Sequence, residues 1–446
     1  MELKNTFYHG DCLFVLTHDV PAESVDLIYL DPPFFTGKIQ TGKWKGEWHP
    51  EAMEVSFEDS KRFWKEKGIS ELAPEWMKHI AIKRPDFASY LYYMMERLQA
   101  CHKVLRKTGS IYLHCDYRAS HYLKMIMDEI FGDENFQNEI IWYYGAGGRS
   151  HRRFGRKHDT ILFYTKKAIG YTFNDKSVRV EMKAGKSSFG GRLEIDSTGR
   201  KYRLVWGTGR KKLYKYYLDE GKVPEDVWET ASLQSQDGER VGYPTQKPEA
   251  LLERIIKASS NEGDLVLDPF CGCGTTVIVA SKLNRKFIGI DIDTSERKKG
   301  ELPTAFSVIK NRSHELFAQS RYVSRDLSEV LEMNPKQFED WVNEFYKANK
   351  PSPDKGVDGI TPEGVPIQVK TFEVGYKEIS QLVTDAKYHP QTVKPIKKVM
   401  VVSQIGFDDR ARQRKFEIET QEKIEVYLTT PEEMLKLEQA ELSTIP

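Results

Sequence analysis

The run Leu265–Thr276, LVLDPFCGCGTT, constrains this chain more than any other stretch, because it sets small residues between an apolar strand and a helix start. Gly272 and Gly274 let the backbone approach a ligand closely, and a helix N-terminus offers N–H groups that lack intrahelical partners. No Gly-Lys-Ser/Thr follows, which removes a P-loop, and Val277 stands where a dinucleotide fingerprint needs its third glycine. A nucleoside-type ligand remains. Asp291, closing the next strand Lys286–Asp291, places a carboxylate where ribose hydroxyls can be held.

Strand and helix patterns alternate on both sides of this turn. An apolar run over 24–30 stops at Asp31-Pro32-Pro33-Phe34, and Pro-Pro continues neither a ladder nor a helix interior. Residues 37–85 read as a long surface excursion. Helical spacing is expected over 86–105, 121–131, 248–259 and 275–283, with strands at 110–114, 139–142, 160–164, 264–268 and 286–291. The prediction is an α/β, Rossmann-like fold with a mainly parallel sheet covered by helices on both faces. Beyond a charged stretch, a helix over 338–346 and strands at 367–370 and 398–402 mark a smaller α/β domain. The expected division is 1–300, a linker over 301–330, and 331–446.

The tetrapeptide Asp31-Pro32-Pro33-Phe34 suggests chemistry. An adenine amine is a poor nucleophile because its lone pair is delocalised into the ring. A fixed carboxylate and a proline carbonyl, each accepting one N–H, draw the nitrogen toward tetrahedral geometry and free the lone pair for attack on a methyl group. Two prolines hold those acceptors rigid, and the Phe34 ring offers a stacking face for a base flipped from the duplex. Alone, the tetrapeptide reads equally well as a capped proline turn; beside LDPFCGCGTT the catalytic reading prevails.

With these two blocks in this order, the chain resembles the beta group of DNA amino-methyltransferases, over about residues 5–295. Further matching segments are Gly10-Asp11-Cys12, Gly109–His114, His158–Lys166 and Thr245-Gln-Lys-Pro248. The resemblance implies S-adenosylmethionine as methyl donor and Asp31, Pro32, Pro33 and Phe34 as catalytic residues. It implies Asp11 and Cys12 beside the adenine part of the donor, and Lys247, Pro248 and Phe270 beside its methionine part. Asp268, Gly272, Gly274, Thr275 and Asp291 complete the implied cofactor site. Asp at position 31 favours adenine N6 over cytosine N4, and Phe34 replaces the more usual Tyr. Residues 150–244 become the implied target-recognition region.

Within that region, Arg149, Arg152, Arg153, Arg156 and Lys157 cluster, and Lys211 and Lys212 stand among tyrosines. Clustered cations neutralise phosphates and arginines read guanine edges; a solvated surface is the alternative. The C-terminal part resembles the Mrr-like branch of restriction endonucleases, with an FE helix carrying Glu339, then Asp358, then Gln368-Val369-Lys370. That resemblance implies Mg²⁺ at Asp358 and Glu339 and cleavage of a phosphodiester. The whole then reads as a fused restriction–modification enzyme, the alternatives being an N4-cytosine methyltransferase or a C-terminal domain that only binds DNA or a partner.

Composition agrees with a globular chain of two or three domains: 446 residues, 39% hydrophobic and 12% aromatic. A net charge of +1 leaves any DNA-binding field to local clusters. The five cysteines have no CxxC spacing, which argues against zinc and disulfides and for a reducing cytoplasm. Double-stranded DNA and a second copy of the chain are the expected partners, and a membrane is not.

Overall fold

Val25–Leu30 is buried at every position, and a strand buried on both faces belongs inside a sheet covered on both sides. The computed structural model describes residues 5–46, 49–57, 59–145, 151–181, 193–207, 212–233, 237–292, 304–325, 330–331, 333–352, 356–392 and 394–435, with backbone alone over 42–57 and at 304. The chain forms two compact units, Met1–Val323 and Ser324–Pro446.

The strands of the first unit are β1 (Thr6–His9), β2 (Val25–Leu30), β3 (Gln40–Gly46), β4 (His49–Phe57), β5 (Leu105–Cys115), β6 (Phe136–Tyr143), β7 (His158–Thr165), β8 (Leu193–Ile195), β9 (Lys201–Trp206), β10 (Leu213–Tyr217), β11 (Val227–Glu229), β12 (Leu265–Asp268), β13 (Lys286–Asp291) and β14 (Arg321–Ser324). Nine of them make one sheet among the described residues, in the order β11-β6-β7-β5-β2-β12-β13-β1-β14. Strands β1, β13, β12, β2 and β5 run parallel, and β7 runs antiparallel between β5 and β6. The mainly parallel sheet expected from the sequence is therefore present. Its carboxyl edge gathers the ends of β1, β2, β5, β12 and β13, where parallel sheets bind ligands.

Helices α1 (Cys12–His18), α2 (Lys61–Lys67), α3 (Glu75–Lys83), α4 (Pro85–Val104), α5 (Ser120–Phe131), α6 (Glu249–Ser259), α7 (Thr275–Lys282), α8 (Thr304–Arg312) and α9 (His314–Gln319) complete the unit. In α4, Pro85 and Asp86 suit the first turn and His102 and Lys103 the last, matching the helix dipole. Its buried Phe87, Leu91, Met94, Leu98 and Cys101 recur at helical spacing. In α6, Leu251, Leu252, Ile255 and Ile256 pack with Leu27, Tyr29, Tyr112, Phe163 and Val266 of the sheet. Tyr112 and Phe163 stack at 4.3 Å.

Two expectations need correction. Residues 37–85 are not a bare excursion: they hold the β3–β4 hairpin and two helices, with Trp64 and Met77 buried. Nor is 301–330 a linker throughout, since Phe306, Ile309 and Leu316 join the core of the first unit and β14 extends its sheet. Charged residues interleaved with a narrow apolar stripe concealed those helices.

The second unit has α10 (Pro335–Phe345), β15 (Gly359–Ile360), β16 (Pro366–Lys370), α11 (Tyr376–Tyr388), β17 (Lys398–Ser403), α12 (Asp409–Gln421) and β18 (Glu425–Thr429). The sheet order is β15-β16-β17-β18; β15 is antiparallel to β16 and the rest are parallel. Phe338, Trp341 and Val342 of α10 pack with Ile367 and Val369, whereas α11 and α12 pack with Val399, Val401 and Val426. Asn334 caps α10 in a capping box with Gln337, which starts the helix earlier than its apolar pattern suggests. Among the described residues, no helix is long and apolar enough to cross a membrane.

Candidate active site

At the carboxyl edge of the first unit's sheet lies a cavity of about 300 Å³. Asp31, Pro32, Pro33 and Phe34 line it from the end of β2, and Phe270, Gly272, Cys273 and Thr275 from the turn after β12. The two sequence blocks, far apart in the chain, thus share one chamber.

The turn after Phe34 is braced rather than loose. Phe35 is buried at φ 53, a left-handed conformation that bulky residues adopt only when packing enforces it, and its ring lies against Phe87 and Tyr90. The Thr36 amide donates to Asp59 Oδ2 at 2.6 Å, and the Trp64 indole donates to Asp59 Oδ1 at 2.8 Å. Asp59 is fully buried, so the segment 59–64 clamps the catalytic turn from behind.

Asp31 divides its two oxygens. Oδ2 accepts a hydrogen bond from Lys247 Nζ in a largely buried ion pair. Oδ1 is buried and has no hydrogen-bond partner. His114 Nδ1 stands 4.0 Å from Oδ1 and shares a 2.8 Å hydrogen bond with the Tyr29 hydroxyl. His114 Nε2 lies 3.4 Å from Asp159 Oδ2. Burial raises the Asp159 pKa, but the His114 contact and the Lys247 charge outweigh it and hold that carboxyl below its usual range. The His114 ring also packs 5.5 Å from Phe34 and edge-on to Trp142.

On the other side, Gly272 sits at φ +50 and its N–H donates to Asp291 Oδ2 at 2.8 Å. A Cβ there would meet the Tyr243 ring at 3.1 Å. The Gly10 N–H donates to the Asp291 carbonyl at 2.9 Å, which ties the β1 turn to the same strand end. Asp268 is buried, accepts the Phe270 N–H at 3.0 Å, and is pushed up to about 7 by desolvation. Asp11 lines the cavity, but its carboxylate caps α1 and is gripped by the buried Arg97 at 2.6 and 2.7 Å. Cys12 also lines the cavity, and burial pushes its thiol up to about 12.

Two expected cofactor residues stand elsewhere. Gly274 does not line the cavity; at φ +76 it caps α7, and a Cβ would strike Ile309 at 2.6 Å. Pro248 is the N-cap residue of α6 and is likewise outside the lining. The lining includes the carboxylates of Asp11, Asp31, Asp59, Asp268 and Asp291 against the ammonium groups of Lys67 and Lys247. Asp11 is paired with Arg97, Asp31 with Lys247, and Asp268 is raised toward its neutral form. A predominance of carboxyl groups, rather than a free excess of charge, therefore faces the cavity; it suits S-adenosylmethionine, whose sulfonium is cationic.

Of the expected DNA contacts, Arg149 and Lys211 lie outside the described residues. Arg152, Arg153 and Arg156 are exposed and Lys157 half-buried in the segment between β6 and β7, whose strands end beside Asp159. Arg156 stacks on Tyr117 at 3.6 Å. Lys212 precedes β10 of the small β8-β9-β10 sheet and lies over the Tyr214 ring at 5.2 Å.

In the second unit, Asp358 Oδ2 accepts the Val369 N–H at 2.7 Å. Gln368 is buried and donates to the Gly356 carbonyl at 3.1 Å. Its side chain is therefore not on an open face with Lys370, which is half-buried. Glu339 pairs with Lys350 and Lys336 instead of facing a metal. Among the described residues, no group of three or more His, Cys, Asp or Glu side chains could hold a metal ion.

Arg97, Tyr243 and Arg312 belong to the site without any motif in the sequence marking them, whereas His114 and Asp159 stand in the matching segments Gly109–His114 and His158–Lys166. Arg312 donates to the Cys273 carbonyl at 2.9 Å and to the Thr275 hydroxyl at 3.0 Å. Each acts through a partner distant in sequence, which no local pattern announces.

Part of the chain is similar in sequence to known proteins. The chain is 34% identical to the DNA adenine methyltransferase YhdJ of Escherichia coli K12 over 296 residues, covering 66% of this chain and 81% of that one. It is 36% identical to the type II methyltransferase M.HpaI of Haemophilus parainfluenzae over 224 residues, covering 50% of this chain and 62% of that one. The solved PvuII DNA methyltransferase (cytosine-N4-specific) aligns at 14% identity and a TM-score of 0.41, covering 72% of this chain and 95% of that one. The N6/N4 methyltransferase family model, described as DNA methylase, matches residues 25–300, more than half of the chain, and the protein belongs to that family.

Proposed function

We propose that this protein transfers the methyl group of S-adenosylmethionine to adenine N6 in duplex DNA at a specific site. The observation that carries this reading is Asp31 Oδ1, a buried acceptor without a hydrogen-bond partner in the same cavity as the glycine turn. Buried acceptors are almost always paired, so an unpaired one in a ligand cavity awaits a donor. An exocyclic amine N–H is such a donor. Asp31 Oδ1 holds one amine proton and the Pro32 carbonyl the other, while Phe34 stacks on the ring and His114 supports Phe34 from behind. When bound, S-adenosylmethionine supplies an electrophilic methyl whose leaving group is a neutral thioether. Asp31, at position 31 of an adenine-type block, favours adenine over cytosine, and the relative named as an adenine methyltransferase agrees.

The exposed Arg152, Arg153 and Arg156, with Lys157 and Lys212, contact the duplex. The test is nucleoside mass spectrometry with long-read sequencing of DNA from cells expressing the chain. N6-methyladenine at one motif is expected, and N4-methylcytosine alone overturns the base assignment. Asp31→Ala abolishes the mark while calorimetry still detects donor binding.

For the second unit we propose an Mrr-like, Mg²⁺-dependent endonuclease, which makes the whole a restriction–modification enzyme. The supporting observation is two buried amide oxygens without hydrogen-bond partners, Gln368 Oε1 and Asn343 Oδ1; the Asn343 amide donates to the backbone carbonyl of Asp358 at 2.9 Å and the Gln368 amide to that of Gly356 at 3.1 Å. Amide and carboxylate oxygens suit a hard cation. Unmethylated plasmid with Mg²⁺ is expected to be cut by the wild type and not by Asp358→Ala. Uncut plasmid across several DNAs overturns the endonuclease proposal.

A further inference from the structure

Lys247 makes three contacts. Its Nζ donates to Asp31 Oδ2, donates to the Thr245 carbonyl at 3.1 Å, and lies 5.3 Å over the Phe34 ring. A carboxylate, a backbone carbonyl and an aromatic face are also what an entering base amine requires. The ammonium therefore competes with the base for the Asp31 carboxylate and the Phe34 face, although it leaves Oδ1 open.

The turn that presents Lys247 is firmly held. Thr245 is β-branched yet sits at φ 60, a strained conformation that surrounding structure must enforce. Gln246 enforces it, accepting the Val241 N–H at 2.9 Å and donating to the Glu239 carbonyl at 2.8 Å. The Lys247 side chain has 8% of its surface exposed and Asp31 has 15%, so solvent does little to replace either partner. A buried ammonium that leaves its carboxylate needs another anion, because an unpaired buried charge costs several kcal/mol.

We infer that Lys247 is a positioning residue that couples base entry to donor binding, an inference that rests on the methyltransferase reading above. Without the donor, Lys247 is held at Asp31 Oδ2 and over Phe34, and it excludes the base from the ring face. With it, the α-carboxylate of the donor's methionine part offers the replacement anion, and the four-carbon stem of Lys247 is flexible enough to exchange one for the other. The Phe34 face is then clear, and Asp31 Oδ1 accepts the amine. Lys247 thus makes the site discriminate between the complete donor and a nucleoside lacking the amino-acid part.

The test measures affinity for a fluorescent duplex carrying the methylated motif, by anisotropy, with the full chain. Sinefungin, which keeps the amino-acid carboxylate but transfers no methyl, is expected to tighten binding about tenfold, the size of an ordinary coupling between sites. 5′-Methylthioadenosine, which lacks that carboxylate, leaves binding unchanged. A duplex with an abasic target brings no amine to compete and loses the sinefungin effect. Lys247→Met binds the intact duplex tightly with or without either compound. Equal tightening by both compounds, or an undiminished effect on the abasic duplex, overturns the inference without any variant. Failure of the wild type to methylate DNA at all would instead remove the reading beneath it.

Discussion

Arg97 holds both oxygens of Asp11 from a position in α4 that is otherwise core, and its guanidinium lies 3.3 Å from the Tyr93 ring centroid. Breaking such a pair leaves a charge without its partner. Arg97→Ala is expected to cost about 3 kcal/mol, the low end for a buried pair because a third of Asp11 is open to solvent, as read from urea denaturation. Arg97→Lys, which keeps the charge but loses the fork, falls between. Asp268 makes a pH prediction. Desolvation lifts its folded value from the usual 3.8 to about 7, so the folded state binds the proton more tightly than the unfolded. Stability is then complete below the unfolded value and falls as pH rises toward 7. Asp268→Asn, which can still accept the Phe270 N–H, should be the more stable protein at pH 8 by on the order of 2 kcal/mol, and the advantage should shrink by pH 4.

At the scale of elements, the glycine turn is fastened by a helix that lies well beyond it in the chain. Besides Cys273 and Thr275, Arg312 of α8 pairs with Glu249 of α6 at 3.2 Å, and Ile309 presses on Gly274. Arg312→Ala is expected to lower S-adenosylmethionine affinity in calorimetry and to cost about 2 kcal/mol of stability, since it strands several buried acceptors. A chain ended after Val323 should keep donor binding, and one ended after Gly300 should lose it. Helices such as α4 and α6 were legible because their apolar residues recur at 3.6-residue spacing over several turns. By contrast α8 and α9 are short and ringed by polar residues, and β11 has three residues, too few for any period to register.

For the whole molecule, a net charge of +1 means that affinity for a polyanion depends on where cations stand, not on how many there are. Removing Arg152, Arg153 and Arg156 together should flatten the slope of log affinity against log salt by about 0.9 for each phosphate left without its cation. An unchanged slope would place the duplex elsewhere. The two chemical blocks, the alternation that makes a parallel sheet and the existence of a second α/β unit are all written in short stretches of sequence, because turn chemistry and side-chain period act between near neighbours. What the tertiary structure alone decided is who partners whom: Lys247 with Asp31 across 216 positions, Arg97 with Asp11 across 86, His114 with Asp159, and Arg312 with the glycine turn. Charge and hydrogen bonding are selective only at contact distance. The order of strands in the sheet brings these residues to one edge, and no local pattern in the chain encodes that order.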